Sequence, residues 1–581
     1  MSDDKHIDIE VAKREWEERV LTPAYQRFGQ QESPTRIYTP LDAKNFDYIR
    51  DVGFPGQYPF TGATYPTSVI GMGMKMMASG GADVPMRRAA IYSGYGTSED
   101  TRDYYKDEIS RGFTGGPNLA LDLPTQCGYD SDEPMVEGEV GKVGVAIDTL
   151  RDFEVIFEPF VNGRDLDKIA TNVTINAASN VLMGMYLALA DKRGVSWDKL
   201  RSTPQNDILK EFVSRGTYIF PPRPSMRMFR DSLVFFTKHC PGINITSIGG
   251  YHIREGGASR EQDLAFSMAI GIAYIQEGIK AELDVDSFAK RFTFNAFGGS
   301  MEFFKEIAFQ RAARRMWARI LKERFGAKKA ESMRIRVPMA AHIGNSSTTK
   351  QRALNNLTRA VVGSVAAALS GGPPAGGPPY DEPLGLGWSR EAKQLMMDSI
   401  RILILEAKLA DVIDPLAGSY YVESLTNEIE ESAWEELKKI EDMGGAVAAI
   451  EDGYMQREVA KSAAERQHKI ENKEEFVVGV NCFTDERELD VTTSKIVEDA
   501  YDPVKRAQAE EKQKAKLVDI KRTRDNTEVS RLLRDLKESA KDESKNLMPI
   551  FIDCAKAYVS EQEQCDVLRE VFGEWQKDTF V

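Results

Sequence analysis

The sequence predicts an α/β protein built around a (β/α)8 TIM barrel, with a helical arm at the N-terminus and a helical extension at the C-terminus. Short strand-like runs alternate with amphipathic helical stretches over roughly 350 residues, which favours a parallel barrel over a sandwich. At 581 residues the chain is too long for one compact core, so appended helical material is expected. Polar segments rich in glycine and proline follow several strand candidates directly, where barrel enzymes place their chemistry.

The pattern changes twice along the chain and predicts three parts. Residues 1–52 form the arm, with apolar positions at helical spacing, and the segment GFPGQYPFTG then ends it. The barrel is expected at 53–422. Residues 423–581 are expected to form the helical extension, because mixed charge and helical periodicity dominate there.

Polar side chains recur along the strand candidates, which cover 118–122, 169–176, 246–252, 291–296 and 333–340. Thr171, Asn172 and Thr174 lie where branched apolar residues normally fill a barrel interior. The alternation fits a strand with one wet face. It also fits a polar barrel axis through which a long, hydrogen-bonding ligand is threaded, and both interpretations stay open.

Composition excludes several classes of function. Lys and Arg number 76 against 90 Asp and Glu, and the net charge of −14 comes without a basic face, so no nucleic-acid partner is expected. There is no apolar run of about 18 residues and no export signal, so we expect a cytoplasmic protein without a membrane span. Five scattered cysteines predict reduced thiols and no metal site.

His252 is the histidine best placed for chemistry among the five in the chain. It follows Tyr251 at the end of a strand candidate, between two glycine pairs, at the expected barrel mouth. An imidazole there could donate a hydrogen bond to a carbonyl or transfer a proton. A single histidine is more often structural, but the glycines and the strand end favour the catalytic interpretation.

A polar segment at 205–227, QNDILKEFVSRGTYIFPPRPSMR, combines Gln205 with Arg215. A guanidinium near a strand-end amide suits bidentate capture of a carboxylate, and the alternative is a salt bridge on a helix surface. Tyr92 and Tyr129 can be packing aromatics. The residues alone leave these alternatives open.

Seven motifs occur in one order along nearly the whole chain: GFPGQYPFTG, DLPTQCGYDSD, EGEVGKVGVAIDTL, QNDILKEFVSRGTYIFPPRPSMR, GGYHIREGGA, FQRAARRMWARILKERFGA and VIDPLAGSYYVE. Together they resemble the substrate-binding subunit of the cobalamin-dependent acyl-CoA mutases, which include methylmalonyl-CoA, isobutyryl-CoA and 2-hydroxyisobutyryl-CoA mutases. KDESKNLMP at 541–549 is most similar to large subunits that work with a separate cobalamin subunit.

The resemblance implies a cofactor, a substrate and a partner. In the family, coenzyme A is threaded along the barrel axis and adenosylcobalamin caps the far end, where it supplies radical chemistry. The family's corrinoid-binding motif D-x-H-x-x-G is absent here: the nearest string, Asp4-Lys5-His6, has Ile9 in place of the glycine. We therefore expect a separate small cobalamin-binding subunit, in a heterotetramer or another hetero-oligomer.

The resemblance also assigns roles to residues of the substrate site. His252 would hydrogen-bond the thioester carbonyl beside its catalytic neighbour Tyr251, with Gln205 next to them. Arg215 matches the arginine that holds the carboxylate of methylmalonyl-CoA, a position that is not arginine in the isobutyryl and 2-hydroxyisobutyryl enzymes. Tyr92 matches the aromatic wedge next to the adenosyl group.

Other matches concern coenzyme A and the cofactor. Arg291 and Thr293 match an arginine-serine pair that contacts coenzyme A. Asp122, Gln126 and Tyr129 of the second motif are expected on the cofactor side.

Two segments depart from the family pattern. Residues 64–88 replace a stretch with two coenzyme A arginines, and Arg87 and Arg88 are candidate substitutes. The Gly/Pro loop at 371–379 replaces a polar segment, which would suit a bulkier acyl group, such as an alkyl- or aryl-substituted succinyl or malonyl ester.

We expect the large subunit of an adenosylcobalamin-dependent radical mutase, an isomerase that rearranges the carbon skeleton of a carboxylate-bearing acyl-CoA of the methylmalonyl or succinyl type. The alternatives are an isobutyryl- or 2-hydroxyisobutyryl-type mutase, a catalytically inert relative that binds acyl-CoA, and a barrel lyase that needs no corrinoid.

Overall fold

The fold of the chain is a mixture of many helices and short parallel strands. The computed structural model describes residues 9–27, 37–43, 45–66, 91–110, 112–113, 115–294, 298–336, 342–372, 377–384, 389–409, 411–484 and 502–576. This confirms the predicted α/β class. Closure of the strands into one barrel stays a prediction, because the strands fall into three hydrogen-bonded groups.

The strands are β1 (Ile91–Ser93), β2 (Pro117–Ala120), β3 (Ala170–Thr174), β4 (Arg201–Pro204), β5 (Thr246–Ile248), β6 (Phe292–Phe294), β7 (Gly298–Gly299) and β8 (His342–Ile343). β1 to β4 form one parallel sheet in chain order, and β5 pairs with β6 and β7 with β8, also in parallel. The Ser247 N–H donates to the Gln205 carbonyl at 2.8 Å, so the hydrogen-bonded layer continues from the end of β4 to β5.

The helices of the described residues, in chain order, are α1 (Ile9–Trp16), α2 (Thr22–Arg27), α3 (Ser98–Ser110), α4 (Leu123–Gln126), α5 (Leu150–Ile156), α6 (Ser179–Lys192), α7 (Ile208–Lys210), α8 (Pro222–His239), α9 (Gly250–Glu255), α10 (Arg260–Lys280), α11 (Val285–Phe288), α12 (Phe303–Arg319), α13 (Ala330–Met333), α14 (Asn355–Leu369), α15 (Arg390–Arg401), α16 (Tyr420–Asp442), α17 (Ala446–Glu451), α18 (Tyr454–Glu471), α19 (Pro503–Thr523), α20 (Asn526–Lys541), α21 (Met548–Lys556) and α22 (Glu561–Phe572).

Two strand candidates are confirmed in shortened form, as β2 and β3, and three need correction. Residues 250–252 are the start of α9, because the Gly249 N–H turns away to donate to the Asp207 carboxylate at 2.7 Å. Arg291 belongs to a 3₁₀ turn before β6, and 295–296 lie outside the described residues. Met333 ends α13, no strand forms at 334–336, and 337–340 are not described.

A row of polar side chains crosses the first four strands. Asn118 of β2 pairs with Asn172 of β3, which pairs with Thr203 of β4, and all three side chains are half-exposed. The alternate positions Leu119 and Val173 are buried. The sheet therefore has one buried face under the helices and one polar, accessible face. Thr171 was predicted on the polar face and lies instead on the buried one, where its hydroxyl accepts from the Tyr186 hydroxyl at 3.3 Å.

The C-terminal extension packs into the same hydrophobic core as the strands and their helices. Every residue of α6 from Ser179 to Ala190 is buried, and Gly184 leaves no room for a side chain, since a Cβ there would lie 3.0 Å from Phe551 of α21. The arm differs, because α1 has no buried residue. The predicted division at 52 and 422 stays a prediction.

Buried charges on α12 hold two loops in place, and we call Arg311, Arg314, Asp414 and Glu423 the helix clamp. Arg311 pairs with both carboxylates through different guanidinium nitrogens. Arg314 donates to the carbonyls of Phe60 and Thr61 at 3.0 Å and to that of Ser370. The clamp therefore joins the loop at 60–62 and the C-terminal end of α14.

None of the described helices combines the length and the apolar character needed to cross a membrane. Within the described ranges there is also no group of three His, Cys, Asp or Glu side chains that could hold a metal ion.

Candidate active site

A group of polar side chains meets at the carboxyl ends of β3, β4 and β5. Asn176, Gln205, Lys210, Glu211, Arg215 and His252 make up this group, which we call the strand-end cluster. Gln205 directly follows β4, and its N–H donates to the Val173 carbonyl of β3 at 2.9 Å. The carboxyl ends of parallel strands are where barrel and open α/β enzymes bind their ligands.

Gln205 is held in one orientation by two donors. Its Oε1 accepts hydrogen bonds from Asn176 Nδ2 at 3.0 Å and from Lys210 Nζ at 2.9 Å. Because the oxygen is occupied, the Nε2 group is the part that remains for a ligand, and it donates no hydrogen bond within the described residues. Gln205 therefore presents two N–H donors.

Glu211 is a buried carboxylate surrounded by donors. Its Oε1 accepts from Asn176 at 2.6 Å, from Arg215 at 3.2 Å and from Lys210, and its Oε2 accepts from the Thr217 hydroxyl at 2.7 Å. Burial alone would raise the pKa of Glu211, but the charges of Lys210 and Arg215 outweigh it and lower that pKa. Burial lowers the pKa of Lys210.

Arg215 lies at the end of a π-helical turn, Glu211–Arg215, which Gly216 stops with a φ of 87°. Its Nη1 contacts Glu211 and the Thr217 hydroxyl, while Nε and Nη2 donate no hydrogen bond to the described residues. The side chain is 25% exposed. The salt bridge considered from the sequence is therefore present, and it leaves most of the guanidinium available.

His252 lies on the first turn of α9, with its ring centroid 3.9 Å from that of Tyr251. The side chain is partly exposed, but Nδ1 is buried and has no hydrogen-bond partner among the described residues. Loss of solvent, followed by the charges of Lys210 and Arg215, holds the pKa of His252 well below its usual value of 6.5. The imidazole is neutral at neutral pH.

Asp207 links the ends of β4 and β5 underneath this cluster. Its carboxylate accepts from the Gly249 N–H and from the Tyr274 hydroxyl, both at 2.7 Å. Burial raises its pKa to about 6, although Lys210 opposes the shift.

The segment at 122–129 adjoins the strand-end cluster. Charges on Glu211 and Arg215 both influence the Cys127 thiol, whose pKa burial raises to about 11. Asp122 accepts from the Thr125 and Gly141 N–H groups at 3.0 and 2.7 Å, so each of its carboxylate oxygens has a backbone hydrogen-bond donor. Gln126 donates to the Leu121 carbonyl at 2.6 Å, and its buried Oε1 has no partner in the described part of the chain.

Tyr92, Tyr129 and Thr293 are predicted site residues that do not belong to the strand-end cluster. Arg569 covers the ring of Tyr129, with its guanidinium carbon 4.4 Å from the ring centroid. Tyr92 is in β1 opposite Asn118, and its side chain is outside the description. Thr293 donates to the Thr246 carbonyl at 2.9 Å.

Arg291 lies before β6, at the opposite end of the strands from Gln205. It is half-buried, and its Nε is buried without a partner among the described residues. Burial lowers its pKa, and the charge of Arg336 adds to the shift. Two neighbouring cations thus mark this end of the strand layer.

The comparisons with known proteins bear on the whole chain. Residues 29–574 match the family model described as methylmalonyl-CoA mutase. The chain belongs to the methylmalonyl-CoA mutase family. This confirms the resemblance inferred from the seven motifs, and with it the expected enzyme class, an isomerase of the cobalamin-dependent acyl-CoA mutases.

Individual relatives of this mutase family differ in how much of their length is matched. The chain is 38% identical over 542 residues to the 2-hydroxyisobutanoyl-CoA mutase large subunit of Aquincola tertiaricarbonis, covering 93% of this chain and 91% of that one. It is 36% identical over 539 residues to the mitochondrial methylmalonyl-CoA mutase of Homo sapiens, covering 92% and 67%. For the methylmalonyl-CoA mutase of Rhizobium meliloti (strain 1021), the values are 37% over 484 residues, covering 83% and 65%. The chain thus spans about two thirds of these methylmalonyl-CoA mutases.

The cluster fits a CoA ester, as the mutase family requires. Gln205 Nε2 and the unused Arg215 nitrogens are donors, and a thioester and a carboxylate are acceptors. Nδ1 of His252 and Oε1 of Gln126 are both buried, and neither has a hydrogen-bond partner within the part of the chain that the structure describes. For cobalamin, the relevant observations are that the buried Oε1 of Gln126 has no partner among the described residues and that the chain contains no D-x-H-x-x-G motif.

Sequence reasoning missed Lys210, Glu211 and Asp207, although all three lie in the segment it singled out. Adjacent charges such as Lys210 and Glu211 normally indicate a solvated helix surface. The apolar residues around them, Ile208, Leu209 and Phe212, are the signal that this short helix is buried on all sides.

Proposed function

We propose that this chain is the large subunit of an adenosylcobalamin-dependent mutase that rearranges the carbon skeleton of a carboxylate-bearing acyl-CoA, of the methylmalonyl or succinyl type. The observation that carries the proposal is the guanidinium of Arg215, which is anchored through Nη1 and open through its other nitrogens. An arginine held in this way binds a carboxylate in two-point contact.

The thioester end of the substrate would meet His252 and Gln205. Gln205 can only donate, because its oxygen is occupied. A neutral imidazole can donate one hydrogen bond without placing a full charge beside a radical, and Tyr251 packs against its ring. These groups would bind and orient the acyl portion and exclude water from it.

The coenzyme A portion would lie along the polar face of the strands. The half-exposed row Asn118, Asn172 and Thr203 supports this path, because it offers hydrogen-bonding groups to a pantetheine chain. Arg291 at the opposite strand ends supplies a cation for the phosphates, with Thr293 beside it. The path requires the strand layer to close into a (β/α)8 barrel, which is part of the proposal.

The cofactor would be adenosylcobalamin, held mainly by a separate small subunit in a heterotetramer or another hetero-oligomer. When bound, it supplies the radical that takes hydrogen from the substrate. Tyr92, Asp122, Gln126 and Tyr129 are the residues of this chain proposed to face it. The match to 91% of a protein named as a large subunit supports the small-subunit partner.

A 2-hydroxyisobutyryl-type mutase is the second candidate, since 38% identity over almost the full length of that large subunit favours it. Arg215 argues against it, because the acyl groups of that type carry no carboxylate to pair with. The Gly/Pro-rich sequence at 371–379, of which 373–376 lie outside the described residues, argues for a bulky alkyl or aryl substituent.

The test is to reconstitute the chain with a small cobalamin-binding subunit and adenosylcobalamin. Turnover and cob(II)alamin formation are then measured with methylmalonyl-, succinyl-, aryl-succinyl-, isobutyryl- and 2-hydroxyisobutyryl-CoA. We expect turnover of a carboxylate-bearing ester, and a roughly 100-fold lower kcat/KM in Arg215→Ala. Arg223→Ala is the control, because Arg223 is an exposed arginine on α8 paired with Glu451.

Preference for isobutyryl- or 2-hydroxyisobutyryl-CoA would favour the second candidate. Binding of CoA esters without cob(II)alamin would identify an inert relative, and turnover without any corrinoid would identify a lyase.

A further inference from the structure

Lys210 and Glu211 form a pair that is not among the proposed substrate-binding groups. Both side chains are completely buried, and they contact each other directly. Removing two charges from water is expensive, and apolar replacements of buried ion pairs are often neutral or stabilising. A stability role alone therefore does not account for a pair in this place.

Each partner of the pair holds one of the proposed substrate-binding groups. Lys210 Nζ donates to Gln205 Oε1 at 2.9 Å, and a flipped amide would put an NH2 group against the ammonium. Glu211 Oε1 accepts from Arg215 Nη1 at 3.2 Å, which fixes one side of the guanidinium. Asn176 bridges both, since its Nδ2 contacts Gln205 Oε1 and Glu211 Oε1.

The pair also determines the electrostatic environment of His252. A Cβ built on Gly249 would lie 3.3 Å from Lys210 Cε and 3.5 Å from His252 Nδ1, so the lysine stem and the imidazole flank the same glycine. The charged groups that act on the ring are Lys210 and Arg215, and both oppose its protonation. Glu211, the anion between these cations, lets both remain charged in a buried place.

We propose that Lys210 and Glu211 are positioning residues: Lys210 fixes the amide of Gln205 with its donors toward the thioester and keeps His252 neutral, and Glu211 sets the direction of the Arg215 guanidinium toward the substrate carboxylate. This rests on the proposed function for the identity of the ligand. The arrangement of the side chains does not depend on it.

The first arm of the test needs no substrate. The five histidines are labelled with ¹³C in the imidazole ring and followed by NMR during a pH titration, and the His252 signal is assigned by its loss in His252→Gln. In the wild-type chain the titration midpoint of this signal should lie well below the usual histidine value of 6.5. Lys210→Met, which keeps the length of the side chain, should move its midpoint up by roughly one pH unit.

The second arm measures the binding of CoA esters by calorimetry. Glu211→Gln should raise the dissociation constant of methylmalonyl-CoA at least tenfold. The dissociation constant of propionyl-CoA, which lacks the carboxylate, should change by no more than about twofold. Lys210→Met should weaken the binding of both esters to the same extent, because both carry the thioester. The double variant Lys210→Met/Glu211→Leu should fold with an unchanged or higher thermal midpoint and bind neither ester well.

Lys516→Met is the matched control, because Lys516 is a mostly buried lysine paired at 2.8 Å with the buried Asp152, outside the strand-end cluster. It should change neither the His252 titration nor the discrimination between the esters. If the single variants behave like this control, the positioning role is refuted. If the wild-type chain binds no CoA ester, the proposed function fails, and the histidine titration still decides whether Lys210 acts on His252.

Discussion

The strand-end cluster and the helix clamp bury the same kinds of charged groups, but they leave them in different states. In the clamp, Arg311 is completely buried and pairs with both Asp414 and Glu423, and Arg314 donates to four backbone carbonyls. In the cluster, Arg215 is one quarter exposed and uses one nitrogen. Arg311 has one nitrogen, Nε, without a partner among the described residues, but this nitrogen is buried, whereas the unused donors of the cluster lie beside an accessible space.

The comparison indicates how to distinguish buried charges that hold the fold from those that serve a ligand. Burial and ion pairing are common to both regions, so neither property identifies a site. The presence of unused donors beside an accessible surface does, because the protein gains nothing from leaving them without partners. Substitutions in the clamp should therefore lower stability, and substitutions in the cluster should lower binding or turnover.

The largest effect is expected for Arg311→Met. Both Asp414 and Glu423 would lose a buried partner, which should lower the free energy of unfolding by about 3–5 kcal/mol. Chemical unfolding of the chain without ligands measures it. Arg319→Met on the same helix is the control, because its partly exposed pair with Glu430 should be worth less than about 1 kcal/mol. Equal losses in the two variants would remove the distinction on which the comparison rests.

His252→Gln should produce the opposite result. We expect turnover of the reconstituted enzyme to fall by roughly 10²–10⁴-fold, the range for a group that hydrogen-bonds or protonates at the reacting centre. The thermal midpoint should stay close to that of the wild type, because Nδ1 makes no hydrogen bond to the described residues that the change could break. A drop in stability as large as that of Arg311→Met would make His252 a structural residue.

Asp207→Asn tests the role of the carboxyl group beneath the strand-end cluster by changing the pH dependence of stability. The folded chain keeps the Asp207 proton up to about pH 6, whereas the unfolded chain releases it near 3.8. Protonation thus favours the fold, and this contribution is complete below pH 3.8 and lost as the pH rises to about 6. Relative to the wild type, Asp207→Asn should gain on the order of 2 kcal/mol of stability between pH 4 and 7.

Urea unfolding of both proteins at several pH values measures this difference. The other buried carboxyl groups are common to both proteins and cancel. A difference that does not change with pH would mean that folding does not raise the pKa of Asp207.

The smallest effect is expected for Thr217→Val, which removes one hydrogen bond to Glu211 at 2.7 Å. Stability should change by about 1 kcal/mol. The KM for a carboxylate-bearing ester should rise a few-fold while kcat holds, since the hydroxyl also contacts Arg215. Steady-state kinetics of the reconstituted enzyme would show it, and an unchanged KM would mean that Glu211 holds Arg215 without this neighbour.

Much of the site could be predicted from the sequence, because its residues sit in short segments next to strand ends. Gln205, Arg215 and His252 were predicted to share the mouth of a barrel, and the first two meet through Glu211 and Lys210. The accessible face of β3 was predicted correctly for Asn172 and Thr174, since alternation is a local property, but Thr171 lies on the buried face. The seven motifs were sufficient to identify the family.

The rest depended on tertiary contacts that a sequence does not display. The run at 246–252 looks like one strand, but whether it continues or turns into α9 depends on Asp207, about 40 residues earlier. Lys210 and Glu211 look like solvated charges until the surrounding helices cover them. Asp122 is predicted on the cofactor side from the sequence, and only the fold reveals that its carboxylate also accepts from the N–H groups of Thr125 and Gly141.

The contact between Gly184 and Phe551 has a consequence for biosynthesis. The face of α6 that α21 covers leaves the ribosome 367 positions before the residue that packs against it. At synthesis rates of about 5–20 residues per second, that surface stays uncovered for roughly 20–70 s. We therefore expect chains that stop before α21 to expose the apolar face of α6 and to be prone to aggregation.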